Sequence, residues 1–169
     1  RIEEVKGIYV TFWLYNCDAA GKMRFDATKV TKWSTEDFDY TKTEHYMVIR
    51  EGGAMFDNVP VNGSTNVEAR YMEAIEPFEA TEGKPFQDAY LSGYLADKYN
   101  IDSVEAQPRA NERVKKGMEQ LLRNTVVGYD TVNTESSSMH LETGKIRYAM
   151  MPVWLLSTRY RGKVYKFAM

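Results

Sequence analysis

Arg109, Arg113, Lys116, Arg123, Arg161 and Lys163 come nearest, of all residues in the chain, to a spacing that could do chemistry. The first four recur at three-, four- and seven-residue steps and so share one stripe of a helix, while the last two flank a Gly-containing turn. A basic stripe of this kind could follow a phosphate backbone or an anionic membrane. Glu105, Glu112 and Glu119, however, stand four residues ahead of Arg109, Lys116 and Arg123. Glutamate before a base at that spacing is the favoured ion-pair order on a helix surface, so a solvated, paired face is the preferred reading. Nucleic acid is kept as a rival and not favoured.

Other candidates give less. Gly-Lys occurs at 21–22, 83–84, 144–145 and 162–163, followed by Met23, Pro85, Ile146 and Val164. A phosphate-cradling loop needs a second glycine five residues earlier and Ser or Thr after the lysine, so these are turns, and ATP-driven motor chemistry is excluded. Cys17, Asp18, His45 and His140 share no ligand-pair spacing, and Cys17 reads as a small buried apolar residue rather than a nucleophile. The acidic runs Glu73, Glu76, Glu79, Glu82 and Glu36, Asp37, Asp39 lack the order of a calcium loop and read as solvated charge. No catalytic, cofactor-binding or metal-ligating residue is assigned, and a non-enzyme is expected. A hydrolytic site assembled from scattered residues remains a third reading.

The elements that would position such residues follow from composition and pattern. A chain of 169 residues with 43% apolar and 27% charged residues is long enough for one ordinary domain with a real core. Its net charge of −2 argues against dominant nucleic-acid binding, although residues 1–100 carry 11 basic and 17 acidic groups and residues 101–169 carry 11 and 7. A single cysteine rules out an internal disulfide and fits a reducing compartment. No run approaches a membrane span, and no signal pattern opens the chain.

Residues 7–17 are nearly all apolar or aromatic, which suits a strand covered on both faces. Asp18-Ala19-Ala20-Gly21 has turn chemistry, and from Met23 the chain alternates, with Met23, Phe25 and Ala27 on one face. At an offset of 141 residues, Trp13-Leu14 matches Trp154-Leu155, Gly21-Lys22 matches Gly162-Lys163 and Ala27 matches Ala168. Two similar hairpins, 9–27 and 150–168, are therefore expected, with Trp13 and Trp154 in equivalent core positions. A strand over 40–49 and a turn at Thr143-Gly144 complete the strand signals. Between them three helices are expected: a short one capped by Ser64 or Thr65 and ending before Pro77, one from Pro85 to Tyr99, and a long one. The long helix opens on the Asp102-Ser103-Val104-Glu105 box, is kinked or delayed by Pro108, carries a stripe of Ala110, Val114, Met118, Leu121 and Thr125, and stops near Gly128. Pro152 should lie at an edge or a bulge. The expected fold is a single α+β domain over 1–169, with an antiparallel sheet built from the two hairpins and about three helices inserted between them.

The segments Gly7-Ile8-Tyr9-Val10-Thr11-Phe12-Trp13-Leu14, Ala89-Tyr90-Leu91-Ser92-Gly93-Tyr94-Leu95-Ala96-Asp97-Lys98-Tyr99, Arg109-Ala110-Asn111-Glu112-Arg113 and Met151-Pro152-Val153-Trp154-Leu155-Leu156 together resemble an uncharacterised bacterial family whose members carry an N-terminal zinc ribbon. The resemblance covers nearly the whole chain. It implies a longer protein in which the ribbon comes first, this domain follows, and membrane-spanning helices come last. Relatives continue Phe-Ala-Met with Asn-Gly-Gln-Thr-Gly, so Met169 would be a cut strand, and they tend to have Pro at the position of Thr11. Such proteins are sometimes labelled as a primosomal helicase or an RNA-polymerase subunit, labels for which this chain has neither ribbon cysteines nor a nucleotide loop. The resemblance brings no catalytic residue. It implies zinc only in the ribbon outside this chain, a membrane reached through segments outside it, and a place at the cytoplasmic inner face. The function expected is a non-catalytic interaction domain with an unknown protein partner.

Overall fold

The continuous period-two pattern that begins at Cys17 is not broken at the expected turn, and it sets the architecture. The computed structural model describes residues 2–75, 82–161 and 163–168, and runs β1 (Ile2–Ser34), β2 (Asp39–Asn62), α1 (Ala69–Ala74), a 3-10 turn (Asp88–Leu91), β3 (Leu95–Ala96), α2 (Ser103–Asn124), β4 (Thr131–Tyr160) and β5 (Lys163–Ala168). The sheet order is β2-β1-β4-β5, with β3 parallel to β1 through Ile8↔Leu95 and Tyr9↔Ala96. Cross-strand neighbours show β1 and β4 to be antiparallel. Thr28 meets Thr131, Arg24 meets Glu135 and Gly21 meets Met139, and Trp13 and Gly7 approach Tyr148 and Trp154 in turn.

The expected fold class is thereby corrected. Among the described residues strand makes up 59% and helix 20%, with two helices, so the protein is mostly antiparallel sheet rather than α+β with three inserted helices. The hairpin expected at 9–27 does not exist, because β1 passes straight through Asp18-Ala19-Ala20-Gly21. Gly21 serves close packing, not a turn. A Cβ there would lie 2.3 Å from Met139 Sδ and 3.4 Å from Leu122 Cδ1. Likewise β2 runs on through Gly52-Gly53 and β4 through Thr143-Gly144. Of the two hairpins only the second forms: Tyr160 pairs with Lys163 and Leu155 with Ala168 across a two-residue connection in which Arg161 has φ 49°. Pro152 precedes that paired segment, so its missing N–H removes no bond to β5.

The Pro85–Tyr99 helix is replaced by the 3-10 turn and β3. Gly93 sits at φ +83°, Tyr94 packs on Tyr9 and Trp154 at 5.0 and 5.3 Å between ring centroids, and the Asp97 N–H donates to the Tyr9 carbonyl at 2.8 Å. These contacts outweigh the helical spacing of Tyr90 and Tyr94. The first helix shrinks to Ala69–Ala74, and its expected caps lie in the bend before it. Ser64 Oγ accepts from the Asn66 N–H, and Thr65 exchanges two bonds with Asn100. Its stop before Pro77, and the acidic residues Glu76 and Glu79, fall outside the described residues. The long helix forms as expected, with Asp102 Oδ1 accepting the Glu105 N–H at 2.8 Å, and it runs on through Pro108 without a late start. Its buried stripe is Ala106, Ala110, Val114, Met118 and Leu122; Leu121 and Thr125, expected on that stripe, are exposed.

The chain divides into two compact units. Unit 1 holds residues 1–16, 57–110 and 145–169 and has two apolar clusters. Val10, Phe12 and Leu14 pack with Val67, Met72 and Val153, while Tyr15 packs with Val61, Ile101, Ala106 and Ala110. β1 is thus covered on both faces over 10–15, as its apolar run requires. Unit 2 holds residues 17–56 and 111–144. Here one face of β1 is buried through Cys17, Ala19, Met23, Phe25 and Ala27, and Leu122 of α2 sits over Gly21 and Gly52 on that face. Asp18, Lys22 and Arg24 alternate onto the open face.

Inside unit 1 the Tyr15 hydroxyl donates to the Ser103 carbonyl at 2.5 Å. Burial first, and the Asp102 charge second, hold its phenol above the ordinary 10.0. The unfolded chain therefore loses this proton at lower pH than the folded chain does, and binds fewer protons once the pH exceeds about 10. Stability conferred by the neutral phenol is fully present below that pH and is lost as pH rises towards the folded value. Urea unfolding as a function of pH should show this alkaline fall, made shallower in Tyr15→Phe, which itself costs about 1 kcal/mol at neutral pH. An identical alkaline fall in both proteins would contradict the assignment.

Candidate functional site

Unit 1 holds an open cleft of about 740 Å³. Its floor comes from β1, where Phe12 and Leu14 are buried and fixed by the surrounding core. Further lining comes from the extended run 82–86, from Tyr90 in the 3-10 turn and from residues 147–152 of β4. The lining is largely aromatic and thioether: Tyr9, Phe86, Tyr90, Tyr148, Met150 and Met151. Phe86 and Tyr90 are 59% and 41% exposed.

The positions of these rings have local causes. Gly7 leaves room for Tyr94, whose Cδ1 would lie 2.7 Å from any Cβ there, and Tyr94 in turn supports Tyr9. Tyr148 is wedged against Trp13 and Tyr99, at 5.2 and 5.6 Å between centroids, and the Trp13 indole N–H donates to the Ile101 carbonyl at 2.8 Å. Burial is the main cause that raises the Tyr148 phenol above its ordinary 10.0, so it stays a neutral donor at physiological pH. Charge enters the cleft through Lys84, Arg147 and Glu82. Arg147 is braced: its guanidinium donates to Asn58 Oδ1, and the Asn58 N–H donates to Asn16 Oδ1 at 3.1 Å. Asn58 takes φ 56°, the left-handed region that asparagine tolerates better than most residues. Such an arrangement can hold an apolar or aromatic group over the rings and a carboxylate on Arg147.

Two further groups are a buried carboxylate and a buried thiol. Asp97 is 8% exposed and accepts from Asn66 Nδ2 at 2.7 Å. Cys17 in unit 2 is 3% exposed, and burial pushes its thiol above the ordinary 9.0, the opposite of an activated nucleophile. Among the described residues no group of three or more His, Cys, Asp or Glu is arranged to hold a metal ion. His45 lies 3.4 Å from Asp26 on the open face of unit 2, and both are exposed enough to be solvated.

Curated proteins place this chain beside one of unassigned role. It is 32% identical over all 169 residues to the uncharacterized protein YdjG of Bacillus subtilis (strain 168). The chain spans half of that relative's length. No family model matches the chain, and no solved structure matches it. No helix among the described residues is long and apolar enough to cross a membrane.

Of the six basic residues singled out by spacing, Arg109, Arg113, Lys116 and Arg123 lie on α2, and Arg161 and Lys163 at the β4–β5 connection. Arg109, Arg161 and Lys163 belong to unit 1, and Arg113, Lys116 and Arg123 to unit 2. Two residues of one expected helical ion pair turn elsewhere. Arg123 donates to the Val132 carbonyl at 2.6 Å, and Glu119 accepts from Ser137 at 2.8 Å. Trp13 and Trp154, expected in equivalent core positions, have different surroundings: Trp13 is half-buried against Tyr99 and Tyr148, whereas Trp154 is 43% exposed beside Tyr94. Reading the sequence did not reveal the cleft, because its residues come from three distant segments with no shared spacing. The only local hint is the density of tyrosine around 90–99.

Proposed function

We propose that this chain is a non-catalytic interaction domain of a zinc-ribbon, membrane-associated protein, and that its cleft takes an extended segment of a protein partner. The observation that carries the reading is the lining itself: exposed Phe86 and Tyr90 beside a fixed Tyr148, with Arg147 braced by Asn58. Grooves built from aromatic rings suit proline-bearing or aliphatic extended segments, whose ordering cost is low, and a fixed guanidinium selects a carboxylate among them. The lining offers no nucleophile paired with a base, so binding rather than turnover is what these groups can do. Zinc and the membrane connection belong, on this reading, to segments outside the chain.

Selection of displayed random peptides on the 169-residue chain, followed by titration, tests the proposal. Extended peptides with an acidic residue should be enriched. Phe86→Ala, Tyr90→Ala and Arg147→Ala should each weaken binding about tenfold or more, since large rings and charged partners dominate such interfaces. Arg113→Glu with Lys116→Glu should leave peptide binding unchanged. Peptide binding indifferent to the cleft variants, or salt-sensitive DNA binding abolished by the Arg113 and Lys116 reversals, would overturn the reading in favour of nucleic acid.

A further inference from the structure

Strand β2 ends the sheet order, and among the described residues no strand pairs with its outer edge over residues 39–56 of unit 2. It carries exposed apolar side chains, with Tyr46 at 36%, Met47 at 64%, Ile49 at 48% and Met55 at 80% relative exposure. A long edge with β-favouring residues and no proline before Pro60 is a template for another strand. We propose that this edge pairs antiparallel with the same edge of a second copy of the chain, about a twofold axis through Met47.

Charge selects both the occupant and the register. A twofold axis perpendicular to the sheet centres the pairing on a residue, since paired side chains must share a face. Centring on Glu44, Arg50 or Glu51 sets each against itself. Centring on His45 opposes Asp39 with Glu51, on Tyr46 opposes Lys42 with Arg50, and on Val48 opposes Asp39 with Asp57. Centring on Ile49 pairs no charges at all. The register centred on Met47 sets opposite charges together, Glu44 against Arg50 of the second copy, twice by symmetry; centring on Thr43 also does so, Lys42 against Glu44, but engages only residues 39–47 of the strand. The Met47 register also opposes Tyr46 with Val48 and Met47 with Met47, pairings that stabilise antiparallel sheets.

Arg50 is already positioned for this role. It donates from Nε to Thr125 Oγ1 at 3.0 Å, from Nη2 to the Thr125 carbonyl at 3.4 Å and from Nη1 to the Ile49 carbonyl at 3.0 Å. These acceptors are neutral oxygens, and two of the five guanidinium N–H bonds are left for a carboxylate. Glu44, held by Lys42 at 3.0 Å, would lie between two cations. Charge thus sets like against like in several registers and, among those engaging most of the strand, favours the one centred on Met47.

Sedimentation of the 169-residue chain, combined with cysteine cross-linking, tests the proposal. Wild-type chain should sediment as a dimer at high micromolar concentration. Met47→Cys should oxidise to a covalent dimer, with buried Cys17 unreactive, whereas Met55→Cys should not. Glu44→Arg alone, and Arg50→Glu alone, should each weaken the dimer about tenfold or more, and the double exchange should restore it. A monomer at every concentration, equal cross-linking at positions 47 and 55, or a double exchange no better than either single variant would overturn it.

Discussion

Phe25→Ala should lower the free energy of unfolding by about 3–5 kcal/mol, the largest effect expected of any truncation in unit 2. Phe25 is 0% exposed, and its neighbours along the buried face of β1, Met23 and Ala27, are 2% and 0% exposed. Removing the ring strands these residues around a void, and the strand cannot close it, because β2 on one side and β4 on the other hold the backbone of β1 in place. The adjacent Asp26→Ala, on the open face, should change stability by less than about 0.5 kcal/mol despite its contact with His45. Urea unfolding followed by tryptophan fluorescence or circular dichroism gives both values. Similar effects at positions 25 and 26 would mean that the two faces of β1 are not distinguished as described.

Ala20→Pro separates the continuous strand from the hairpin that the sequence alone suggests. In a turn spanning Asp18 to Gly21, a proline is a compatible residue and could stabilise the chain by restricting its unfolded state. In the interior of a central strand it removes a ladder hydrogen bond and forces its ring between neighbouring strands, at a cost of about 3 kcal/mol or more. Because β1 lies between β2 and β4, both edges are paired and neither orientation of residue 20 escapes the penalty. The expected result is a protein unfolded or close to it, as judged by urea titration. A variant as stable as the parent would restore the turn.

What the sequence made legible was periodic and local. The alternation from Met23 to Ala27, the two-sided burial of 7–17, the Asp102 cap and the long helix all rest on patterns within a few residues, and all are present in the structure. What it hid was set by distant contacts. Gly21 looks like a turn residue until Met139 and Leu122 are placed against it. Tyr90 and Tyr94 look like one face of a helix until Tyr9 and Trp154 hold Tyr94 in extended chain. The apparent repeat of Trp13 and Trp154 reflects two aromatic strand positions with unlike neighbours. The cleft was invisible for the same reason, since Tyr9, Phe86, Tyr90 and Arg147 meet only after β1 and β4 have paired.

That pairing depends on β1 remaining one strand, and hydrogen exchange of the backbone amides at residues 18–21 tests it most directly. In a central strand every one of these amides is bonded within the sheet, and the account predicts exchange as slow as that of Met23 and Phe25. The connecting loop at residues 36–38 supplies the fast reference. Exchange at 18–21 as rapid as in that loop would show the chain turning there, and would contradict the fold from which the cleft and its proposed role are derived.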